Sequence, residues 1–281
     1  MSVSARHIDH LVLAVHDLEA AAAFYERLGF QVGKRNRHPW GTENRLIQFE
    51  SSFLELITTG DDPAAIPPHA PGRFSFGAFV RDYLDRREGC AMFVLDSTDA
   101  EADAAAFARK GIGEFEPFFF ERAGRLPDGR EIRVSFTLAF AADPELPNAS
   151  FFVCQQHHPE NFWNPAFQVH PNGATGLCGV TLTVGEPADH ATFLSSFVGA
   201  TGAKHGDGLA YALQRSGRLL VELGATGGGF SAFAVAVPDL AAAEARLRQA
   251  GIPFRMAADG ILVDKVDAFG VRICLQASTA A

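Results

Sequence analysis

The strongest constraint on this chain is that it repeats one strand–helix–strand phrase. Ile8-Asp9-His10-Leu11-Val12-Leu13-Ala14-Val15-His16-Asp17-Leu18 leads into an Ala-rich stretch that closes at Gly29-Phe30, and Ala236-Val237-Pro238-Asp239-Leu240 leads into another that closes at Gly251-Ile252. An apolar strand ending at Asp-Leu, a helix of about three turns and a glycine before the next strand form the pattern of a repeated β-α-β unit. The copies differ at one telling place: His10 of the first aligns with Ala232 of the second.

Two weaker copies lie between them. Met92-Phe93-Val94-Leu95 leads to Asp99, a helix over 100–110 and Gly111-Ile112; Val180-Thr181-Leu182-Thr183-Val184 leads to Glu186-Pro187, a helix over 188–198 and Gly199-Ala200. Pro187 suits a first helical turn, where no N–H is needed. Strands are expected after each helix: at 30–35, 45–50 and 53–58; at 114–121, 132–140 and 151–156; at 211–215 and 218–223, with one near Ala203; and at 254–257, 260–264 and 271–276. Pro127-Asp128-Gly129 and Ser216-Gly217 mark hairpin turns. The predicted fold class is α+β, built from four tandem βαβββ modules.

The domains are expected at 1–160 and 177–281, joined by a connector at 161–176. The segment 157–176 is rich in turn formers, and its Phe and Trp residues predict that it packs, because a disordered linker is poor in aromatics. The Pro-rich residues 60–73 read as a surface loop. Gly227-Gly228-Gly229 lacks the strand-to-helix context of a phosphate loop and reads as a flexible joint.

The chain has 281 residues, 47% of them hydrophobic, enough for two domains with substantial cores. A net charge of -9 argues against a nucleic-acid partner, which needs a basic surface to displace counterions. No stretch reaches the roughly 18–20 apolar residues of a membrane span, and Arg6, His7, Asp9 and His10 interrupt the pattern of a signal peptide. Cys90, Cys154, Cys178 and Cys274 show neither zinc-knuckle nor disulfide spacing, so a reducing cytoplasm is the expected compartment. A monomer and a homodimer are both compatible with the sequence.

The four modules, the Ile8-Asp9-His10 start, the block His38-Pro39-Trp40-Gly41-Thr42-Glu43-Asn44-Arg45-Leu46 and the strand Phe53-Leu54-Glu55-Leu56 resemble the vicinal oxygen chelate superfamily, above all its glyoxalase-like group. That superfamily includes glyoxalase I, extradiol dioxygenases, fosfomycin-resistance proteins and methylmalonyl-CoA epimerase. The resemblance implies two glyoxalase/dioxygenase-like cupped-sheet domains, with ligands drawn from the first and last strands of each module. Carried over by position, these are His10 and Glu55, Met92 and Cys154, Gly179 and Glu222, and Ala232 and Cys274. Only the first module keeps a His/Glu pair, and two protein ligands hold a divalent ion weakly. Alternation puts Gln156 on the face of Cys154, so His10, Glu55 and Gln156 form the implied set for a divalent ion (zinc, nickel, manganese or iron). His157 or His158 is an alternative third ligand.

Each of these residues also has a plainer reading. His10 among apolar neighbours suits a hydrogen-bonded core histidine, Glu55 a paired carboxylate, Cys154 a buried filler and Glu222 a structural ion pair. His38, Trp40, Thr42, Asn44 and Arg45 suit either a substrate-binding loop or a tight turn shaped by Pro39 and Gly41. The leading expectation is a metal-dependent isomerase or lyase acting on a small oxygen-bearing substrate in the N-terminal cup, with Glu55 moving a proton. The runners-up are an extradiol-type dioxygenase, which needs a second His, and a metal-free small-molecule-binding or sequestering protein, for which the 25 Phe residues speak. The C-terminal half is expected to be structural or dimerising.

Overall fold

The computed structural model describes residues 6–125, 129, 131–224 and 227–278. The first module comprises β1 (Ile8–Ala14), α1 (Leu18–Arg27), β2 (Asn36–Arg37), β3 (Thr42–Gln48) and β4 (Phe53–Thr59), and is followed by α2 (Phe76–Leu84). The second comprises β5 (Gly89–Ser97), α3 (Ala100–Arg109), β6 (Phe118–Arg125), β7 (Glu131–Ala141) and β8 (Ser150–Gln156), and is followed by α4 (Pro159–Phe162). The third comprises β9 (Gly176–Val184), α5 (Ala191–Val198), β10 (Ala203–His205), β11 (Gly208–Ala212) and β12 (Arg218–Leu223). The fourth comprises β13 (Gly229–Val237), α6 (Leu240–Gln249), β14 (Arg255–Ala257), β15 (Gly260–Val263) and β16 (Arg272–Ala277).

The Asp-Leu echo has a local cause. Asp17, Asp99 and Asp239 are helix N-caps whose carboxylates accept from backbone N–H groups of the first turn, at 2.9–3.0 Å. The closing glycines of the strong copies, Gly29 and Gly251, lie at φ 93° and 65°, the left-handed conformation that ends a helix at little cost to glycine.

Modules pair in sequence order. One eight-stranded curled sheet runs β2-β3-β4-β1-β5-β8-β7-β6 and the other β10-β11-β12-β9-β13-β16-β15-β14. Within each module the first and last strands are parallel, joined by the helical crossover, and β1 with β5, like β9 with β13, is the antiparallel seam. Alternation divides the side chains of each strand between two cores. Leu11, Leu13, Phe93 and Phe151 join α1, α3, α5 and the second sheet in one continuous core; Val12, Ala14, Met92, Val94 and Phe152 face into the first cup with α2. Phe151 meets Phe193, Phe197 and Phe230 at 5.0–5.4 Å between ring centroids, so the two halves share aromatic packing. Among the described residues no helix is long and apolar enough to cross a membrane.

Several expectations shift. Residues 30–35 do not form a strand, and β3 starts at Thr42, so half of the block read as a loop is sheet. Helix α2 was not anticipated: it has no counterpart among the repeats, and Ser75 caps it by accepting from the Ala78 N–H at 3.2 Å. Strand β6 begins four residues later than expected and β11 three earlier. Gly227-Gly228-Gly229 is a packed turn: Asn148 Nδ2 donates to the Gly227 carbonyl at 2.8 Å, and a Cβ on Gly228 would meet Leu146 at 2.5 Å. At the second expected hairpin, Arg215 and Ser216 take positive φ. Pro127 and Asp128 lie outside the described residues.

Candidate functional site

A bulge decides which side chains enter the first cup. Along the β1–β5 seam Ile8 pairs with Leu95 and His10 with Val94, leaving Asp9 as the extra residue. A bulge re-aims side chains, and here it lets Asp9 and His10 meet although they are neighbours in a strand. The same skip recurs at Ala91, Cys178 and Ser231, immediately before Met92, Gly179 and Ala232. The residue after the bulge is thus the shared first-strand position of all four modules.

The last-strand positions follow from the parallel pairings. Val12 pairs with Glu55; the matching pairs are Val94 with Phe152, Thr181 with Leu220 and Ala234 with Cys274. Phe152 and Leu220, rather than Cys154 and Glu222, therefore occupy the register of Glu55. Alternation specifies the face of a strand, and a slip of two keeps the face while changing the neighbours.

Two hydrogen-bonded chains converge from opposite sides. On one, His10 Nδ1 lies 2.5 Å from Asp9 Oδ1, and Asp9 Oδ2 accepts from Gln156 Nε2 at 2.8 Å. The Asp9 carboxylate fixes the ring proton on Nδ1 and leaves Nε2 facing Glu55 Oε2, 3.9 Å away. On the other, Glu55 Oε1 accepts from Asn44 Nδ2 at 2.5 Å, Asn44 Oδ1 from Asn36 Nδ2 at 3.0 Å, and Asn36 Oδ1 from Arg122 Nη1 at 2.8 Å. Asn44 also donates to His38 Nε2 at 3.3 Å, and His38 Nδ1 in turn meets Thr42 Oγ1 at 2.8 Å. Burial lowers the pKa of His38, which suits this neutral ring. The His10 ring stacks on Phe53 at 4.2 Å and meets the edge of Phe152 at 5.4 Å.

The cavity between the two chains measures about 60 Å³ and is walled by Trp40, Phe76, Phe120, Phe136, Phe162 and Leu138, with Cys154 at its base. Asp9, His10 and Cys154 are buried with ligand atoms within 4.8 Å of one another, the one such cluster among the described residues. Burial, and then the carboxylates of Asp9 and Glu55, hold the Cys154 thiol well above the ordinary range.

Of the residues singled out in the sequence, the structure brings together His10, Glu55, Asn44, His38, Thr42, Trp40 and Cys154. Gln156 reaches Asp9 rather than the space between His10 and Glu55, and its Oε1 is buried without a partner. Arg45 turns to the other side of β3, where it binds Glu19 at 2.7 Å and the Gly33 carbonyl at 2.9 Å, because alternation gives Asn44 the inner face. His157 bonds Thr137 and His158 pairs with Glu160, both outside the cavity. Glu222 is exposed on the second sheet. Asp9, Asn36 and Arg122 went unread. The available signals were a charge inside the apolar run of β1 and an Arg in step with Phe118 and Phe120.

Residues 8–198, more than half of the chain, match the model of a glyoxalase-like domain. No curated protein sequence matches. The fold is similar to that of a hypothetical protein from Staphylococcus aureus (TM-score 0.66, 11% identity, covering 96% of this chain and 99% of that one). It is also similar to a catechol 2,3-dioxygenase (0.59, 11%, 99% and 94%) and to a mutant of 4-hydroxymandelate synthase from Streptomyces coelicolor (0.56, 14%, 91% and 78%). At these identities the likeness is one of fold.

Proposed function

The chain belongs to the glyoxalase-like domain family, and from that premise we propose that its first cup is the active site of a metal-assisted isomerase or lyase for a small oxygen-bearing substrate. The observation that carries this reading is the line Asp9–His10···Glu55–Asn44. An imidazole anchored through Nδ1 by one carboxylate, with Nε2 turned 3.9 Å from another, is arranged as metal-binding histidines are. His10 and Glu55 would hold the ion, and Cys154, which lines the same cavity and clusters with Asp9 and His10, would be the further donor. Imidazole, carboxylate and thiolate together suit a first-row divalent cation. Such an ion, when bound, polarises a substrate carbonyl.

The remaining steps belong to the protein. Asn44 fixes Glu55 through Oε1. Oε2, the oxygen that would also face the ion, would then leave it to take the C–H proton from the hydroxyl-bearing carbon beside the carbonyl and return it to the carbonyl carbon, while the hydroxyl proton passes to the former carbonyl oxygen. This transfer needs no oxidant. The aromatic wall gives the intermediate a largely apolar surrounding. Met92 and Phe152, in the register positions of His10 and Glu55, deny the site the second histidine of an extradiol-type centre.

The test is the metal content of protein purified without chelator, compared with His10→Ala and Glu55→Ala. Stoichiometric metal that is lost in both variants is the expected result. A metal-free wild type that gains nothing from added divalent ions overturns the reading and leaves a small-molecule-binding protein.

A further inference from the structure

Arg122 is out of place for a wall residue. Alternation along β6 puts Phe118, Phe120 and Arg122 on the inner face of the sheet. Phe118 and Phe120 stand edge-on to Trp40 at 5.2 and 4.9 Å, and Phe120 stacks on Phe136 at 5.1 Å. A guanidinium in that row loses much of its water, and a buried charge is retained only where something compensates it. Arg6, Arg35 and Arg45, all on this half of the molecule, each meet a carboxylate. Arg122 instead spends one donor on Asn36 Oδ1 and has no carboxylate partner among the described residues. Glu55 feels its charge, yet is joined to it only through two intervening amides.

Trp40, whose indole lines the same cavity, has its Nε1 buried with no hydrogen-bond partner. The cavity therefore offers a cationic fork within an aromatic enclosure. Guanidinium donors match a planar carboxylate in a bidentate fashion, and stacked rings match a flat apolar body.

We propose that Arg122 is the anion anchor of this cup and that the ligand it selects is a small planar carboxylate with an aromatic or similarly flat apolar body. The proposal names the substrate class for the site proposed above and rests on reading this cup as the substrate site. It does not depend on a cation at His10 and Glu55.

Tryptophan emission reads the cavity directly, because the chain holds two tryptophans and Trp163→Phe leaves Trp40 as the single reporter. Benzoate and its neutral isostere benzamide are titrated into that protein, with inorganic phosphate as a third probe. Benzoate is expected to saturate and to bind about tenfold or more tighter than benzamide, the scale of a charged hydrogen bond. Arg122→Gln is expected to abolish that preference, bringing benzoate down to the affinity of benzamide. Arg122→Lys, which keeps the charge without the fork, is expected to fall between them and covers the case in which Arg122→Gln folds poorly.

Benzoate that gives no saturable change, or binds no tighter than benzamide, overturns the proposal. So does a preference that survives in Arg122→Gln, or phosphate that binds as well as benzoate. Metal content measured on the same samples separates the two readings. A metal-free wild type that still prefers benzoate refutes the metalloenzyme and leaves the anchor standing, whereas a metal-loaded protein indifferent to carboxylates refutes the anchor alone.

Discussion

Asp9→Asn isolates what the bulge in β1 does for His10. In the native protein Asp9 Oδ1 meets His10 Nδ1 at 2.5 Å, and Oδ2 accepts from Gln156 Nε2 at 2.8 Å. Asparagine keeps the shape: its Oδ1 still accepts from the ring, and its amide replaces Oδ2. Gln156 then turns over so that its Oε1, unpartnered in the native protein, accepts from the new amide. The number of hydrogen bonds is preserved and only the charge is lost, so stability should fall by about 1 kcal/mol. Affinity for a divalent ion should fall roughly 10–100-fold, or about 1.4–2.7 kcal/mol, the effect of losing a carboxylate that orients a ligating histidine. Asp9→Ala strands the His10 and Gln156 donors in buried surroundings and should cost about 2–5 kcal/mol of stability. Calorimetric titration with Zn²⁺ or Mn²⁺, run beside thermal unfolding, measures both quantities. A folded Asp9→Asn protein that binds the ion as tightly as wild type refutes the orienting role. If binding instead vanishes in Asp9→Asn and Cys154→Ser but survives in Glu55→Gln, the ion belongs to the Asp9, His10 and Cys154 cluster.

Three further outcomes follow from the same structure. Trp40 separates the inner cavity of about 60 Å³ from an outer one of about 140 Å³ lined by Pro67, Arg73 and Phe118; Trp40→Ala should join them and improve binding of longer carboxylates, at about 3 kcal/mol of stability, and an unchanged chain-length preference counts against the partition. Phe151→Ala empties a fully buried ring site between the two halves and should cost about 3–5 kcal/mol while both halves still unfold in one calorimetric transition, whereas two transitions would show that they are uncoupled. His170 accepts from the Gln31 N–H through Nδ1 at 3.0 Å and donates from Nε2 to the Gln48 carbonyl at 2.8 Å, and burial lowers its pKa. The unfolded chain, with an ordinary histidine pKa of about 6.5, then binds the proton more readily than the folded one. Stability is complete above that value and should decline as pH falls below it. His170→Gln, which can reproduce both bonds, should flatten the decline in Tm between about pH 6.5 and 5; an identical slope removes His170 as the cause.

What could be read in the sequence was periodicity and punctuation. Asp17, Asp99 and Asp239 stand out because a capping carboxylate is a local requirement, strands β7 and β16 declare themselves by alternation, and β8 and β12 by short apolar runs. His10 and Glu55 could be singled out because a polar residue in an apolar strand is conspicuous. Register could not be read. Whether Glu55 corresponds to Cys154 or Phe152 depends on how far two strands slide past each other, which is a tertiary choice. The Asp9 bulge is likewise invisible, since one unpaired residue leaves no mark on composition. Arg45 and Asn44 were equivalent while their block looked like a loop; once β3 begins at Thr42, adjacent residues must face opposite ways. Helix α2 was hidden because it belongs to no repeat.

That helix also explains why the two cups differ. Residues 60–88 join the first sheet's halves and include α2, whose Phe76, Val80, Tyr83 and Leu84 pack on the inner face of that sheet. In the second sheet the corresponding connection spans only residues 224–228. The result is a narrow, mainly aromatic cavity of about 60 Å³ in one half and a wider one of about 220 Å³ in the other. The bulge recurs in every module, but the positions it serves hold Gly179, Leu220, Ala232 and Cys274 in the second sheet, with no His and no carboxylate. Chemistry therefore needs two things that only the first cup combines: the His10/Glu55 pair, and aromatic surroundings apolar enough for a 3.9 Å gap between imidazole and carboxylate to matter. Restoring the pair in the wider cup by Gly179→His and Leu220→Glu should accordingly yield ion binding far weaker than the first cup achieves, and equal affinity in the two cups would show that the aromatic surroundings contribute little.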